Sequence, residues 1–201
     1  DDVSMQPSVR VFVDSNVLYS RTQRDWLGLL YSNPTPQAHF RVHWSEDVLA
    51  DVIHHLRKNK PDLSGRAIAH VRDRVATTFE VGRVADYDID GSYRGGDPHD
   101  AHIHAAATAC RADYLLTNNV KDFPDGPNDP LPYEVIRPDD FFVLVDDAYS
   151  DLVAACVEEQ IRYWSQRPTD QVDLLGPLQK ANCPAFAERV RAHLQRRAFR
   201  P

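Results

Sequence analysis

The sequence predicts an α/β fold in which a mostly parallel sheet is covered by helices on both faces. Short runs rich in β-branched, aromatic and leucine residues alternate with longer stretches of helical periodicity. Polar turn residues follow the strands where they end. The predicted strands are 9–13, 40–44, 79–84, 114–117 and 133–136. Strands that alternate with helices favour a parallel sheet, and the chain shows no internal repeat.

The helices between these strands are predicted from their start signals and apolar spacing. Ser45 followed by Glu46 and Asp47 is typical of a capped helix start, and Asp97 followed by Pro98 repeats the signal. The predicted helices are 17–31, 46–58, 64–77 and 98–111, with further helical chain from residue 139 onward.

Composition indicates a folded chain of 201 residues, with 42% hydrophobic and 26% charged residues. The longest apolar stretches are too short to span a membrane, and the N-terminus lacks a secretory pattern. Three cysteines without CxxC spacing indicate buried or free thiols in a reducing compartment, so we expect a cytoplasmic protein. Residues 1–8 are expected to be disordered or to derive from cloning.

The net charge of −7 argues against a protein that coats nucleic acid through bulk electrostatics. Acidic residues concentrate between Asp86 and Asp151. Among the last fourteen residues, most of the charged side chains are basic. The acidic region is therefore either a solvated face or a site for a cation.

Several acids follow predicted strands at the carboxyl edge of the sheet, where open parallel sheets bind ligands. Asp14 follows the first strand, and Asn119 and Asp122 follow the strand at 114–117. Asp100 lies on the apolar face of its predicted helix, and Asp51 flanks the apolar stripe of another. Alone, Asp14 could form a turn and Asp100 could serve the helix dipole. Together the acids would repel one another unless a hard cation such as Mg²⁺ or Mn²⁺ neutralised them.

Four segments, in this order and spacing, resemble the motifs of PIN-domain ribonucleases, over roughly residues 9–142. They are Val11–Tyr19, Trp44–Val52, Asp97–Ile103 and Leu115–Pro124. The resemblance implies that Asp14, Asp51 and Asp100 are metal ligands and catalytic residues. The last segment is similar to a branch in which Asn119 replaces the usual acid, so the fourth catalytic position is either Asn119 or Asp122.

The resemblance implies a three-layer α/β/α fold with a central, mostly parallel sheet over residues 9–146. Residues 147–201 would form a helical C-terminal extension. The implied activity is a Mg²⁺- or Mn²⁺-dependent endoribonuclease, commonly the toxin of a bacterial VapBC-type toxin–antitoxin pair. The implied partners are an RNA substrate, a cognate antitoxin and a second copy in a homodimer, without a membrane.

Supporting roles are assigned to neighbours of the acids. Ser15, Asn16, Thr117 and Asn118 are expected to donate hydrogen bonds around the metal ligands. Arg21, Arg24 and Lys121 are expected to steer the RNA backbone.

Three alternatives were weighed. A haloacid-dehalogenase-like phosphatase requires an acid at position 16, which is Asn. An HD-type phosphohydrolase is disfavoured because His99, His102 and His104 lack the i,i+4 spacing, and His102 is expected to face solvent. A PIN fold with weakened chemistry, acting as an RNA- or protein-binding module, is supported by Asn119 and opposed by the three intact acids.

Overall fold

The computed structural model describes residues 8–33, 40–167 and 172–198, so the expected disordered segment lies outside the described residues except for Ser8. The described chain groups into two compact units. The first contains residues 8–19 and 40–137, and the second contains 20–33, 138–167 and 172–198. The predicted division at residues 146 and 147 stays a prediction.

The first unit contains a five-stranded sheet with the order β3-β2-β1-β4-β5. Its strands are β1 Val9–Val13, β2 Phe40–Ser45, β3 Arg83–Val84, β4 Tyr114–Leu116 and β5 Glu134–Ile136. All four strand pairings are parallel, which confirms the predicted sheet.

The α-helices of the described chain are α1 Ser15–Tyr19, α2 Arg21–Ser32, α3 Glu46–Asn59, α4 Gly65–Thr78, α5 Ala101–Ala109, α6 Pro138–Ala148, α7 Ser150–Ser165, α8 Leu175–Lys180 and α9 Pro184–Ala198. In the first unit, α3 and α4 precede β3 at one edge, and the chain then returns through α5 to β4. Because such crossovers are right-handed, this reversal places α5 on the opposite face of the sheet from α3 and α4. Helices therefore flank both faces, as the predicted α/β/α class requires.

The predicted start signals at Ser45 and Asp97 are confirmed, and Ser64 forms a further cap. The Ser45 hydroxyl accepts from the Val48 N–H at the start of α3 (3.3 Å), and the Ser64 hydroxyl accepts from Ala67 at the start of α4 (3.2 Å). Asp97 accepts from the His99 N–H at 2.9 Å. Each cap satisfies a backbone donor that lacks a partner within its helix.

Two predicted elements have different bounds in the structure. The single helix at 17–31 is divided into α1 and α2, because Ser20 adopts an extended conformation and its side chain caps α2. The strand at 79–84 is mainly a 3₁₀ turn, Glu80–Gly82, and only two of its residues pair with β2. A Cβ at Gly82 would lie 1.7 Å from the Val42 carbonyl oxygen, so only glycine permits this close approach to β2.

The core of the first unit surrounds the central strands. Val11, Phe12 and Val13 of β1 are fully buried, as are Leu115 and Leu116 of β4. Burial of each large apolar side chain contributes about 1.5–3 kcal/mol. The strand ends that carry the polar residues are thus held by a rigid, close-packed sheet.

The second unit is helical and contains α2 and α6–α9. Phe186 of α9 packs against Trp26 and Phe142, with ring centroids 5.1 Å apart in both pairs. The Asp139 carboxylate accepts from the N–H groups of Ala185 and Phe186 and so caps α9. The predicted helical C-terminal part is therefore present.

The cysteines of the described chain agree with the prediction from composition. Cys156 and Cys183 are buried, Cys110 is half-buried, and all three are free thiols. None of the helices seen in the described ranges has the length and apolar character that crossing a bilayer requires.

Candidate metal site at the carboxyl edge of the sheet

Asp14 lies at the centre of the carboxyl edge because of the strand register. Val13 at the end of β1 is paired with Leu116 at the end of β4. The next residues along both strands, Asp14 and Thr117, are therefore neighbours, and the Asp14 N–H donates to the Leu116 carbonyl at 3.0 Å. Asp14 is only 3% exposed, so its carboxylate is held in a largely dehydrated position.

Neutral donors surround the Asp14 carboxylate. Thr117 Oγ1 and Asn16 Nδ2 each donate to Asp14 Oδ2 at 2.6 Å, and Ser15 Oγ donates to Oδ1 at 3.2 Å. Burial raises the pKa of Asp14, and the hydrogen bonds from Thr117, Asn16 and Ser15 lower it by less, so that the pKa stays above its ordinary value. The negative charge of Asp14 is stabilised only in part by this shell.

Asn16 joins the ends of the two strands. Its Nδ2 also donates to Thr117 Oγ1 at 3.1 Å, and its Oδ1 accepts from the backbone N–H of Asn118 at 3.0 Å. Thr117 Oγ1 in turn accepts from the Asn119 N–H at 3.0 Å. The four residues to which the sequence assigned supporting roles (Ser15, Asn16, Thr117 and Asn118) thus form one hydrogen-bonded network with Asp14.

Asp100 belongs to the 3₁₀ turn Pro98–Asp100 that leads into α5, rather than to the helix itself. Asp97 supplies the capping hydrogen bond of this turn, and the Asp100 side chain makes no capping hydrogen bond. The pKa of Asp100 is raised to about 7, first by burial and then by the negative charges of Asp14, Asp97, Asp122 and Asp51. Asp100 therefore lies among like charges, and its carboxylate has no helix-capping role.

These five carboxylates, Asp14, Asp51, Asp97, Asp100 and Asp122, are called the acidic cluster below. Asp122 ends the 3₁₀ turn Val120–Asp122 and is half-buried. Asn119, the other residue assigned to the fourth position, is exposed, and its backbone N–H rather than its side chain contacts Thr117. Of the two residues assigned to the fourth position, Asp122 is the one whose charge raises the pKa of Asp100.

The Asp51 carboxylate contacts His102. His102 was expected to face solvent, and this expectation was wrong. Its side chain is 14% exposed, and its Nε2 lies 3.0 Å from Asp51 Oδ2. The helical spacing placed His102 away from the apolar stripe of α5, but in the structure its imidazole contacts a carboxylate of α3.

Tyr93 is a second residue near the acidic cluster that the sequence analysis missed. Its hydroxyl donates to the carbonyl oxygen of Asp122 at 2.7 Å. Burial raises the pKa of Tyr93, and the charges of Asp100, Asp122, Asp97 and Asp14 raise it further. A Cβ at Gly95 would lie 1.9 Å from the Tyr93 hydroxyl, so glycine is needed there. A tyrosine in a loop gives no periodic signal, so its position was not predictable from the sequence.

The basic residues assigned to RNA steering have different surroundings. Lys121 is exposed and precedes Asp122. Arg21 and Arg24 belong to α2 in the second unit, where Arg21 forms an i,i+4 pair with Asp25 at 3.6 Å. Their role in RNA binding stays a prediction.

The donor chemistry of the acidic cluster fits a hard divalent cation, because carboxylate oxygens are the ligands that Mg²⁺ and Mn²⁺ prefer. Burial is the main cause of the raised pKa of Asp100, and the negative charges of the neighbouring acids raise it further. Across the described ranges, no three His, Cys, Asp or Glu side chains are placed to hold one ion together. Coordination would therefore require side-chain rotation within the cluster.

Two comparisons with known sequences found similarities to VapC50. Residues 138–192 match the family model described as the VapC50 C-terminal domain. Over 92 residues, 46% of this chain, the sequence is 32% identical to the "Putative ribonuclease VapC50" of Mycobacterium tuberculosis (strain ATCC 25618 / H37Rv). The match spans 54% of that protein's length. These two similarities confirm the predicted resemblance to VapC-type PIN-domain proteins.

A solved structure was also found, described as "Structure of FitAB bound to IR36 DNA fragment". The two chains are 14% identical with a TM-score of 0.41, and the match covers 64% of this chain and 94% of the other. This likeness is too distant to support a conclusion, so the fold assignment depends on the strand pairings described above.

Proposed function

We propose that this chain is a Mg²⁺- or Mn²⁺-dependent endoribonuclease that hydrolyses phosphodiester bonds in RNA. The observation that carries the proposal is the acidic cluster, in which burial and like charges raise the pKa of Asp100 to about 7. A carboxylate that both burial and like charges destabilise is expensive for a fold to maintain without a cation. Similarity to a protein named as a ribonuclease supports RNA as the substrate.

Asp14, Asp51 and Asp100 are the proposed metal ligands. Bound divalent cations would lower the pKa of a water molecule and stabilise charge on the leaving oxygen. Asp14 is the central ligand, because the network of Thr117, Asn16 and Ser15 fixes its carboxylate.

For the fourth catalytic position we favour Asp122 over Asn119. Asp122 is half-buried and acts electrostatically on Asp100, whereas Asn119 is exposed. Lys121, which precedes Asp122, remains the proposed contact to the RNA backbone together with Arg21 and Arg24.

We further propose that the chain acts in the cytoplasm as the toxin of a type II toxin–antitoxin pair. The similarity to VapC50 over both the 92-residue match and residues 138–192 supports this role. The proposed partners are an antitoxin and, in a homodimer, a second copy of the chain.

The test is cleavage of a labelled single-stranded RNA in the presence and absence of Mg²⁺ or Mn²⁺. We expect metal-dependent cleavage by the wild type and a loss of at least about 100-fold in Asp14→Asn and Asp100→Asn, because removal of a ligand charge weakens metal binding and transition-state stabilisation. Asp73→Asn is the matched control, since Asp73 is an exposed acid paired with Arg72 on α4.

Equal cleavage by wild type, Asp14→Asn and Asp100→Asn would refute the catalytic assignment. Tight RNA binding without cleavage in either metal would instead support the alternative of a binding module with weakened chemistry. Loss of activity in Asp73→Asn would show that the assay reports general charge effects rather than the acidic cluster.

A further inference from the structure

We propose that His102 is a positioning residue that holds the Asp51 carboxylate in place for metal binding at the acidic cluster. This inference rests on the proposed function, because Asp51 is one of the proposed metal ligands. His102 follows Asp100 by two residues, so one acid of the cluster ends the turn before α5 and the imidazole that restrains another lies in the first turn of α5.

The need for a restraint follows from the position of Asp51. Its side chain is 41% exposed, in contrast to Asp14, which is 3% exposed and has three side-chain donors. An exposed carboxylate on a helix exchanges among rotamers, and fixing it on metal binding costs conformational entropy. The hydrogen bond from His102 restricts the rotamers of Asp51 in the metal-free protein, so less conformational entropy is lost when a metal binds.

The geometry of the imidazole defines which nitrogen carries the proton. Nε2 lies 3.0 Å from Asp51 Oδ2, and a carboxylate oxygen can only accept a hydrogen bond. Nδ1 is buried and has no hydrogen-bond partner within the described part of the chain. A proton on Nδ1 would leave a buried donor unsatisfied and would turn the Nε2 lone pair toward the carboxylate. The tautomer protonated at Nε2 is therefore the one that the structure favours.

His55 provides a contrast on the same acid. Its Nδ1 lies 2.8 Å from the backbone carbonyl of Asp51, one helical turn earlier on α3. This contact involves the main chain and leaves the carboxylate unrestrained. Two histidines thus contact Asp51, but only the contact of His102 reaches the proposed ligand oxygens.

The experiment measures Mn²⁺ affinity by calorimetry on the full chain without RNA, for the wild type, His102→Leu and His102→Gln. The amide nitrogen of glutamine occupies about the place of Nε2 and can donate to Asp51, whereas leucine keeps the bulk and cannot donate. Loss of such a supporting bond typically weakens metal binding about 10- to 100-fold. We expect that loss in His102→Leu and an affinity within about threefold of wild type in His102→Gln. His55→Gln is the matched control, with unchanged affinity.

Wild-type affinity in His102→Leu, or an equal loss in His102→Gln and His102→Leu, would overturn the proposal. If the wild type binds no Mn²⁺, the proposed function fails, and the bond itself is tested separately in the metal-free protein. There the nitrogen NMR signals of the His102 imidazole should show the proton on Nε2. A proton on Nδ1 would overturn the inferred contact.

Discussion

Two buried acids, one in each unit, have opposite surroundings. Asp14 at the carboxyl edge of the sheet is 3% exposed, and Asp146 on α6 is 4% exposed. Because a buried carboxylate loses its hydration in either place, both acids are expected to need hydrogen-bond or charged partners to the same extent.

Asp146 is compensated within its own unit. His193 Nε2 lies 2.6 Å from its Oδ1, and Arg189 lies 3.5 Å from its Oδ2. Arg189 also binds the neighbouring Asp147 at 2.6 Å. These contacts connect α6 to α9, so the buried acid of the second unit joins two helices of its core.

Asp14 has neutral hydrogen-bond donors. At the same edge of the sheet, the charges of Asp14 and of the other acids of the cluster raise the pKa of Asp100. The fold places these charges together and leaves much of their repulsion uncompensated. A buried acid with basic partners is part of the architecture, whereas an acid such as Asp100, whose pKa is raised by burial and like charges, is typical of a functional site.

The largest effect on stability is expected from His193→Leu. The substitution leaves Asp146 buried with only the partly exposed Arg189, and removal of one partner of a buried pair costs roughly 3–5 kcal/mol. Because Arg189 remains, we expect a loss near the lower limit, about 3 kcal/mol in the free energy of unfolding, measured by urea denaturation.

The comparison requires that Asp14→Asn costs much less stability than His193→Leu. Asn removes the buried charge and keeps part of the hydrogen bonding, so we expect a change within about 1 kcal/mol. His70→Gln, at an exposed position of α4, is the control and should change stability by less than about 0.5 kcal/mol. An equal loss in His193→Leu and Asp14→Asn would refute the distinction between the two acids.

An intermediate effect is expected in the pH dependence of the metal-free protein. The pKa of Asp100 rises from 3.8 to about 7 on folding, so between these values the folded state binds more protons than the unfolded state. Stability from this group is therefore lost as the pH rises from about 4 to 7 and is recovered on acidification. The slope of unfolding free energy against pH in this window should be less negative in Asp100→Asn than in wild type. Identical slopes would show that the pKa of Asp100 is not raised on folding.

The smallest effect is expected from Asp122→Asn, because Asp122 follows burial, Asp14 and Asp97 among the causes of the raised pKa of Asp100. Removing its charge should lower the pKa of Asp100, observed by NMR titration of the carboxyl group. Asn119→Ala, which changes no charge, should leave that pKa unchanged. If Asn119→Ala changed the pKa of Asp100 and Asp122→Asn did not, Asn119 would be favoured for the fourth catalytic position.

The sequence predicted those parts of the fold that depend on local chemistry. Ser45 and Asp97 cap their turns as expected, because a cap satisfies backbone donors only two or three residues away. The break at Ser20 was not predicted, because the apolar pattern continues across it. In the structure Ser20 caps α2, so the segment forms two helices.

The candidate site was predictable only as far as strand ends could be located. Asp14 and Thr117 were assigned to one edge because parallel strands share their carboxyl ends, and the structure joins them by a 2.6 Å hydrogen bond across 103 residues of chain. His102 and Tyr93 could not be assigned in this way, since their partners lie on other elements and no periodicity reports on them.

The sequence by itself determined the α/β class, the parallel strands and the acids at their ends, since each depends on residues adjacent in the chain. Only the tertiary structure decided the strand order β3-β2-β1-β4-β5 and the contact of Asp51 with His102. It also decided which buried acid has basic partners, Asp146, and which has neutral hydrogen-bond donors, Asp14. The physical reason is range: caps and turns act over a few residues, whereas burial and charge repulsion depend on side chains brought together from distant parts of the chain.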